Sequence, residues 1–365
     1  MMLADLPTPC LVLDRTTLAR NIQVMTKTLA RLNVPLRPHM KTAKSIEVAR
    51  MALEGQPGGI TVSTLAEAEY FFGHGITDIL YAVGITPQKL APIGKLNESG
   101  ARIIVITDDP SVADAIAARP EPIRALIEIN SGEERGGVHP DSDLLLELAA
   151  RLGRRLAGVM THAGHSYAGR RVREIAGIAE AERGAVVHAA TRLRQAGYPI
   201  DIVSAGSSPT ARHAENLAGV TEMRAGVYMF GDLFQAEIET HGIDSIAVTV
   251  LASVIGHRPG RVLVDAGGLA LSKDRSTEAA PRDYGYGLAL GLDGRHSYGD
   301  SIVVKAYQEH GVIAVDPARP IDLPVGGKLR IAPNHTCMTA AAHDRYFVVD
   351  GDQEVVAVWH RVNGW

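Results

Sequence analysis

Lys41 lies in a segment, residues 36–45, in which basic side chains are concentrated. An apolar lead-in, Asn33 to Leu36, predicts a strand that carries this lysine to its carboxyl end, and a helix is predicted to follow from Ser45. Partial desolvation and positively charged neighbours would disfavour the charged form of the lysine. The neighbours expected there are Arg37, His39 and Lys44. A neutral amine is what a Schiff base to an aldehyde cofactor requires, whereas a solvated lysine in a basic loop is the alternative.

Two further segments could hold an anionic ligand. Residues 204–210 read Ser-Ala-Gly-Ser-Ser-Pro-Thr after a predicted strand, and small residues with free backbone amides and hydroxyls can form an anion cradle. A simple turn is the alternative. Arg224 is expected to project from the end of the next strand, and Gly226 would let the backbone approach a ligand closely. A surface arginine paired with a carboxylate is the alternative for Arg224.

His335 and Cys337 form a His-x-Cys pair after a late predicted strand. In extended backbone, residues i and i+2 point to the same face, so an imidazole and a thiolate would converge, and both are ligands that zinc prefers. No second pair stands nearby in the sequence. The pair therefore favours an open, catalytic type of site over a closed structural one.

The elements that must position these residues alternate between short apolar strands and helices from residue 11 to residue 224. This alternation predicts a parallel sheet, and eight or nine strands favour a closed (β/α)8 TIM-like barrel, with an open doubly wound sheet as the alternative. After residue 243 the strands are separated by Gly and Pro without long helices, which predicts a mostly β domain. The predicted domains are a barrel, 14–242, and a β-rich domain, 1–13 with 243–365.

Composition limits the classes of function. The chain has 365 residues, a net charge of −4 and no basic stripe, which disfavours nucleic-acid binding. No apolar run reaches membrane-spanning length, and the N-terminus lacks the pattern of a signal peptide. With only two cysteines, Cys10 and Cys337, a disulfide framework is not expected, and a cytoplasmic location is predicted.

Six segments, taken in order, resemble one enzyme family. They are the Lys41 segment, Gly59 to Glu69, His162 to Tyr167, Arg224 to Tyr228, Gln308 to Gly311, and Pro333 to Cys337. The family is that of the metal-assisted pyridoxal 5'-phosphate (PLP) enzymes that act on D-3-hydroxy amino acids, with D-serine dehydratase, D-threo-3-hydroxyaspartate dehydratase and D-threonine aldolase as members. The chain is more distantly similar to alanine racemase, which shares the barrel-plus-β-domain architecture.

The resemblance implies roles for the barrel residues. Lys41 would bind the cofactor covalently and, once freed, would act as the general base at Cα. Arg224 would face the pyridine nitrogen and keep it unprotonated, since its charge is permanent. The remaining cofactor contacts would come from Tyr167, Ser207, Ser208, Thr210, Gly226, Val227 and Tyr228.

The resemblance also implies a metal site and a substrate. His335 and Cys337 would bind a divalent ion, with Zn²⁺ expected and Mg²⁺ or Mn²⁺ as alternatives. Arg135 could reach a substrate carboxylate, although an ion pair that stabilises its turn explains it equally well, and His165 could contact substrate or cofactor. A homodimer is expected.

Cysteine at position 337 favours elimination, because aldolases of the family tend to carry aspartate there. The predicted reaction converts a D-3-hydroxy amino acid (D-threo-3-hydroxyaspartate, D-serine or D-threonine) to a 2-oxo acid and ammonia. The main alternative is an aldolase that cleaves the Cα–Cβ bond to give glycine and an aldehyde. An amino-acid racemase is a weaker alternative, and a non-catalytic PLP-binding protein conflicts with the predicted second domain.

Overall fold

The computed structural model describes all 365 residues, which form two sheets. The first sheet has eight strands, which are β2 Leu36–Pro38, β3 Ile60–Val62, β4 Asp78–Gly84, β5 Arg102–Thr107, β6 Arg124–Ile129, β7 Leu156–Thr161, β8 Ile202–Ala205 and β9 Glu222–Ala225. The helices before and between them are α1 Arg15–Ala30, α2 Ile46–Leu53, α3 Leu65–Gly73, α4 Pro87–Glu98, α5 Pro110–Ala117, α6 Asp143–Leu152, α7 Val172–Gln195 and α8 Ser208–His213.

The first sheet is a nearly closed parallel barrel. Its strand order is β2-β9-β8-β7-β6-β5-β4-β3, and an isolated parallel bridge between His39 and Thr61 joins the two outer strands. The predicted (β/α)8 barrel is therefore confirmed, and the open doubly wound sheet is wrong. All eight strands run the same way, so the segments that follow them meet at one rim of the barrel.

Helix α6 illustrates how the sequence specifies these layers. Its buried residues, Leu145, Leu148, Ala149 and Leu152, recur at three- and four-residue spacing and form one apolar stripe. The side chain of Ser142 accepts a hydrogen bond from the backbone of Leu144 at the start of the helix. Gly153, with a φ of 51°, ends it.

The second sheet is mostly antiparallel and confirms the predicted β-rich domain. Its strands are β1 Cys10–Asp14, β10 Val248–Arg258, β11 Arg261–Val264, β12 Leu288–Leu290, β13 Ser297–Ala306, β14 Gly311–Ala314, β15 Lys328–Ala332, β16 Arg345–Val349 and β17 Ala357–His360. Strand β1 lies between β10 and β16, and its pairing with β16 is parallel.

The chain divides into two compact units, residues 24–226 with 362–365 and residues 1–23 with 227–361. The domain limits drawn from the sequence, 14–242 and 1–13 with 243–365, stay a prediction. Three short helices belong to the second unit, α9 Leu233–Glu237, α10 Gly268–Leu271 and α11 Thr336–Ala340. No helix of the chain has the length and apolarity needed to cross a bilayer.

Candidate active site

Lys41 lies at the rim where β2 ends. The backbone before it is fixed on both sides, since the His39 N–H donates to the Ala225 carbonyl (2.7 Å) and the Met40 N–H donates to the Thr61 carbonyl (2.8 Å). Lys41 itself is exposed, so the predicted partial desolvation of its side chain is wrong. Strand β2 ends at Pro38, and the chain has left the sheet by residue 41.

Two of the predicted basic neighbours have other partners. Arg37 pairs with Asp78 (2.8 Å) and Glu222 (2.7 Å), which are the first residues of β4 and β9, so its guanidinium is directed to the amino-terminal end of the barrel. Lys44 adopts a φ of 50° and pairs with the buried carboxylate of Glu67 at 3.2 Å. Of the predicted three, His39 stays beside Lys41, because the Lys41 N–H donates to His39 Nδ1 at 3.4 Å.

His39 and His162 flank Lys41 as neutral imidazoles. Burial lowers the pKa of His39 well below its usual value, and the charges of Lys41 and Arg224 lower it further. Burial likewise lowers the pKa of His162 to about 3, although a hydrogen bond to the Gly206 carbonyl opposes the shift. That bond joins Nδ1 to the carbonyl oxygen at 2.7 Å. Because a carbonyl only accepts, Nδ1 carries the hydrogen and Nε2 is left as an acceptor.

A cluster of hydroxyls follows β8. The Ser207 N–H donates to Thr210 Oγ1 (3.0 Å), the Thr210 N–H donates to Ser207 Oγ (3.2 Å), and Ser166 Oγ lies 2.9 Å from Ser207 Oγ. Ser208, the fourth hydroxyl residue, is also buried. Buried hydroxyls from the segments after β7 and β8 thus lie together, which suits an oxyanion such as a phosphate. The residues predicted to cradle an anion are therefore brought together.

Two glycines allow this packing. A Cβ at Gly206, whose φ is 133°, would lie 2.2 Å from the carbonyl oxygen of Arg224. A Cβ at Gly226 would lie 2.8 Å from the carbonyl oxygen of His39. Gly226 is thus required for a close approach within the protein, whereas the sequence suggested an approach to a ligand. Val227 and Tyr228 follow in a buried single turn, and burial raises the pKa of Tyr228.

Arg224 is buried, with only 3% of its surface exposed, so the surface-arginine interpretation is wrong. Its Nη1 donates to Ser204 Oγ and its Nη2 donates to the carbonyl of Thr161, both at 2.6 Å. Burial lowers the pKa of Arg224, and three glutamates, led by Glu222, oppose that shift. A cation held in this way can serve as a fixed hydrogen-bond donor inside the barrel.

Glu182 is a buried residue of this rim that sequence reasoning missed. Its Oε1 accepts hydrogen bonds from the backbone N–H groups of Ala163 (2.8 Å) and Gly206 (3.0 Å), and so ties the segments after β7 and β8 to helix α7. Burial raises the pKa of Glu182. The detectable signal was a glutamate within the apolar stripe of α7, between Ala179 and Val186.

The remaining predicted barrel residues lie around the segment after β7. The Tyr167 ring centroid is 6.4 Å from that of His162, and Nδ1 of His165 is buried without a hydrogen-bond partner. Arg135 is 60% exposed and its Nη1 lies 3.5 Å from Glu133 Oε1. The ion pair weighed as the alternative for Arg135 therefore exists, and a role in substrate binding stays a prediction.

The His335–Cys337 pair forms in a different way from the one expected. Cys337 lies in the first turn of α11, which His335 precedes, so the extended-backbone geometry is wrong. The two side chains nevertheless interact. Burial acts to lower the pKa of His335, but hydrogen bonds with Asp274 and Cys337 raise it to about 11.

Asp274 is the second residue that sequence reasoning missed. Its Oδ2 lies 2.9 Å from His335 Nδ1, and its Oδ1 accepts from the Ser276 N–H at 2.7 Å. These hydrogen bonds outweigh burial and lower the pKa of Asp274 to about 2. Since Nδ1 of His335 faces the carboxylate, Nε2 is the nitrogen left for a metal, the usual arrangement of metal-binding histidines. No local pattern links residues 61 positions apart, so the sequence gave no signal for Asp274.

Imidazole and thiolate are donors that suit a divalent ion. No cluster of three or more His, Cys, Asp or Glu side chains arranged for a metal exists in the structure. The open type of site expected for the His335–Cys337 pair stays a prediction.

Comparison with known proteins gives matches along the whole chain. Residues 13–233 match the family model described as alanine racemase, N-terminal domain, and residues 247–349 match a putative serine dehydratase domain. The chain is 43% identical to D-threo-3-hydroxyaspartate dehydratase of Delftia sp. (strain HT23), over 100% of this chain and 99% of that protein. It is 32% identical to D-serine dehydratase of Dictyostelium discoideum, over 96% and 95% of the two chains.

A solved structure of a D-threo-3-hydroxyaspartate dehydratase is also similar. It is a cysteine-to-alanine mutant described as being in the metal-free form, and it superposes with a TM-score of 0.96 at 40% identity, over 100% of both chains.

Proposed function

The chain belongs to the family of alanine-racemase-like lyases that includes D-threo-3-hydroxyaspartate dehydratase and D-serine dehydratase, and from that premise we propose that it is a PLP- and metal-dependent dehydratase of D-3-hydroxy amino acids. Its products would be a 2-oxo acid and ammonia. The observation that carries the proposal is the convergence of Lys41, a buried Arg224 and a hydroxyl cluster at one barrel rim.

The barrel residues fit PLP by their chemistry. Ser207, Ser208 and Thr210 would hold the phosphate through hydroxyls and backbone amides. Tyr167, Gly226, Val227 and Tyr228 are proposed as further contacts of the cofactor. Arg224 would donate to the pyridine nitrogen. Bound PLP supplies an aldehyde for covalent attachment and an electron sink for charge at Cα.

Lys41 would hold the cofactor in the resting enzyme and would afterwards accept the Cα proton at its ε-amino nitrogen. Its exposure leaves it accessible to a cofactor and a substrate. The neutral imidazoles of His39 and His162 add no positive charge beside it. Nε2 of His162, left as an acceptor, could take a hydrogen bond from a bound molecule.

Arg224 would influence which bond breaks. A guanidinium does not give up its proton, so a pyridine nitrogen facing it stays unprotonated and the ring withdraws electrons less strongly. By limiting delocalisation into the ring, Arg224 would favour loss of a leaving group from Cβ where the substrate carries one. His335 and Cys337 would hold a divalent ion, proposed to be Zn²⁺, which supplies Lewis acidity toward a hydroxyl.

We further propose a cytoplasmic location, which agrees with the absence of a disulfide between Cys10 and Cys337. A homodimer is proposed on the family resemblance alone. Arg135 and His165 are proposed to contact the substrate. The substrate range is proposed to include D-threo-3-hydroxyaspartate, D-serine and D-threonine.

A product assay tests the proposal. The PLP-loaded protein is incubated with each of the three D-amino acids and with their L forms, with and without a chelator. The proposal predicts ammonia and a 2-oxo acid from at least one D substrate, loss of product on chelation, and none from Lys41→Ala. Glycine and an aldehyde would instead establish an aldolase, and inversion at Cα a racemase.

A further inference from the structure

Ser204 is the side chain that joins Arg224 to the charges at the opposite end of the barrel. Arg224 Nη1 donates to Ser204 Oγ at 2.6 Å, and Ser204 Oγ donates in turn to Glu222 Oε1, also at 2.6 Å. Ser204 is fully buried. Three neighbouring side chains on β8 and β9 therefore form one continuous line of hydrogen bonds.

The direction of these bonds is fixed by chemistry. A guanidinium has donors only, a carboxylate has acceptors only, and a serine hydroxyl has a single hydrogen. The Ser204 hydrogen must point at Glu222, which turns an oxygen lone pair toward Arg224. Reversing the hydroxyl would set its hydrogen against that of the guanidinium.

Glu222, at the other end of this line of hydrogen bonds, is held by side chains of alternating charge. Glu222 Oε2 accepts from Arg37 Nε at 2.7 Å, and Arg37 Nη1 donates to Asp78 at 2.8 Å. Burial would lower the pKa of Arg37, but the two carboxylates outweigh it and raise the pKa. The order is carboxylate, guanidinium, carboxylate, hydroxyl and guanidinium, from the start of β4 to Arg224.

We propose that Ser204 and Glu222 are positioning residues for Arg224, which fix the direction of its guanidinium and hold its charge inside the barrel. The inference rests on the proposed function, in which Arg224 faces the pyridine nitrogen of PLP. If the hydrogen bond to Ser204 is removed, Arg224 keeps only its hydrogen bond to the Thr161 carbonyl. Without Ser204 the guanidinium would keep a single one of these two bonds and could turn about it.

A purely structural role for Ser204 makes a different prediction. It would reduce stability and the fraction of loaded protein, while each loaded molecule would behave as wild type. A positioning role changes the loaded molecules themselves. The pyridine nitrogen would face a displaced donor, which alters the electronic state of the ring and hence its visible absorption.

The test uses full-length PLP-loaded protein and three single variants, Ser204→Ala, Glu222→Gln and the control Ser301→Ala. Ser301 is an equally buried serine of the β-rich unit whose hydroxyl accepts a hydrogen bond from Asp316 N–H. The measurements are PLP affinity, the visible spectrum and its pH dependence at full loading, and kcat and KM for ammonia release. We expect Ser204→Ala to change the spectrum and to lower kcat roughly ten- to a hundredfold, as for loss of a bond to a charged group, with KM changed much less.

The double variant Ser204→Ala/Glu222→Gln tests whether Glu222 and Ser204 act on Arg224 through the same line of hydrogen bonds. Glu222 orients Arg224 through Ser204, although its charge also acts on Arg224 directly. The double variant should therefore lose less kcat than the two single losses combined. Additive losses would overturn the inference. So would a wild-type spectrum in loaded Ser204→Ala, or equal losses of kcat in Ser204→Ala and Ser301→Ala.

If Ser204→Ala does not fold, Glu222→Gln carries the test alone. The glutamine side chain keeps an oxygen that can accept the hydrogen bond from Ser204, but it removes the negative charge that faces Arg37 and helps to hold the charge of Arg224. An altered visible spectrum would support the inference, and an unaltered spectrum would overturn it. Failure of the proposed function is distinguishable, because wild-type protein would then bind no PLP or release no ammonia.

Discussion

The substitution Gly206→Ala tests the geometry of the rim by adding a single methyl group. The new Cβ would lie 2.2 Å from the oxygen and 2.7 Å from the nitrogen of the Arg224 backbone, with a φ of 133° that L-residues rarely adopt. Backbone strain of this kind costs about 1–3 kcal/mol, and overpacking adds about 1–3 kcal/mol. We therefore expect the free energy of unfolding to fall by about 2–6 kcal/mol.

The same substitution should weaken PLP binding. The Gly206 N–H donates to Glu182 Oε1 (3.0 Å), and the Gly206 carbonyl accepts from His162 Nδ1 (2.7 Å). Relief of the clash must move this peptide, and Ser207 moves with it. Each 1.4 kcal/mol lost from binding lowers the affinity about tenfold, so a loss of tenfold or more is expected.

Urea unfolding and PLP titration measure both effects, and Gly184→Ala is the matched control. Gly184 lies within α7 with no atom within 4 Å of an added Cβ. Alanine there should raise the free energy of unfolding by about 0.5–1 kcal/mol and leave PLP affinity unchanged. Wild-type stability and PLP affinity in Gly206→Ala would refute the described packing of this loop.

Three other outcomes follow from the structure. Burial lowers the pKa of His162 to about 3, so below about pH 6.5 the unfolded chain takes up a proton that the folded chain does not. In the cofactor-free protein His162 alone should therefore remove up to about 1.4 kcal/mol of stability per pH unit as pH falls toward 3, in addition to the effect of His39. Urea unfolding of His162→Gln should show a shallower slope, and an unchanged slope would contradict the assignment. Asp274→Asn should weaken Zn²⁺ binding about 10–100-fold by calorimetry, because Asp274 orients His335. The control Asp283→Asn, which removes a partner of Arg275, should leave Zn²⁺ affinity unchanged. Equal Zn²⁺ affinities in the two variants would exclude Asp274 as a support for His335. Cys337→Ala should lose bound metal and most of the activity, and full activity in the metal-free variant would remove the metal from the reaction.

Local patterns in the sequence were sufficient for the barrel and for much of its rim. Strands and helices alternate with clear periodicity. Ser207 and Thr210 follow β8, and Arg224 lies near the carboxyl end of β9, and these strand ends must meet. Position at a strand end predicts convergence without any knowledge of the side-chain partners.

Long-range partners were beyond the reach of these patterns. Basic residues close in sequence were expected to act together at Lys41, yet Arg37 is directed to the other end of the barrel by Asp78 and Glu222. Asp274 meets His335 only through the fold. Burial was also misjudged at Lys41, because exposure depends on where β2 ends.

The covalent attachment of PLP is the claim on which the account rests, and reductive trapping tests it most directly. The PLP-loaded protein is treated with borohydride, digested and analysed by peptide mass spectrometry. We expect a phosphopyridoxyl group on the peptide at Lys41 and none on Lys44, whose amine is paired with Glu67 at 3.2 Å. A modified Lys44, another modified lysine in place of Lys41, or no modified peptide would contradict this claim.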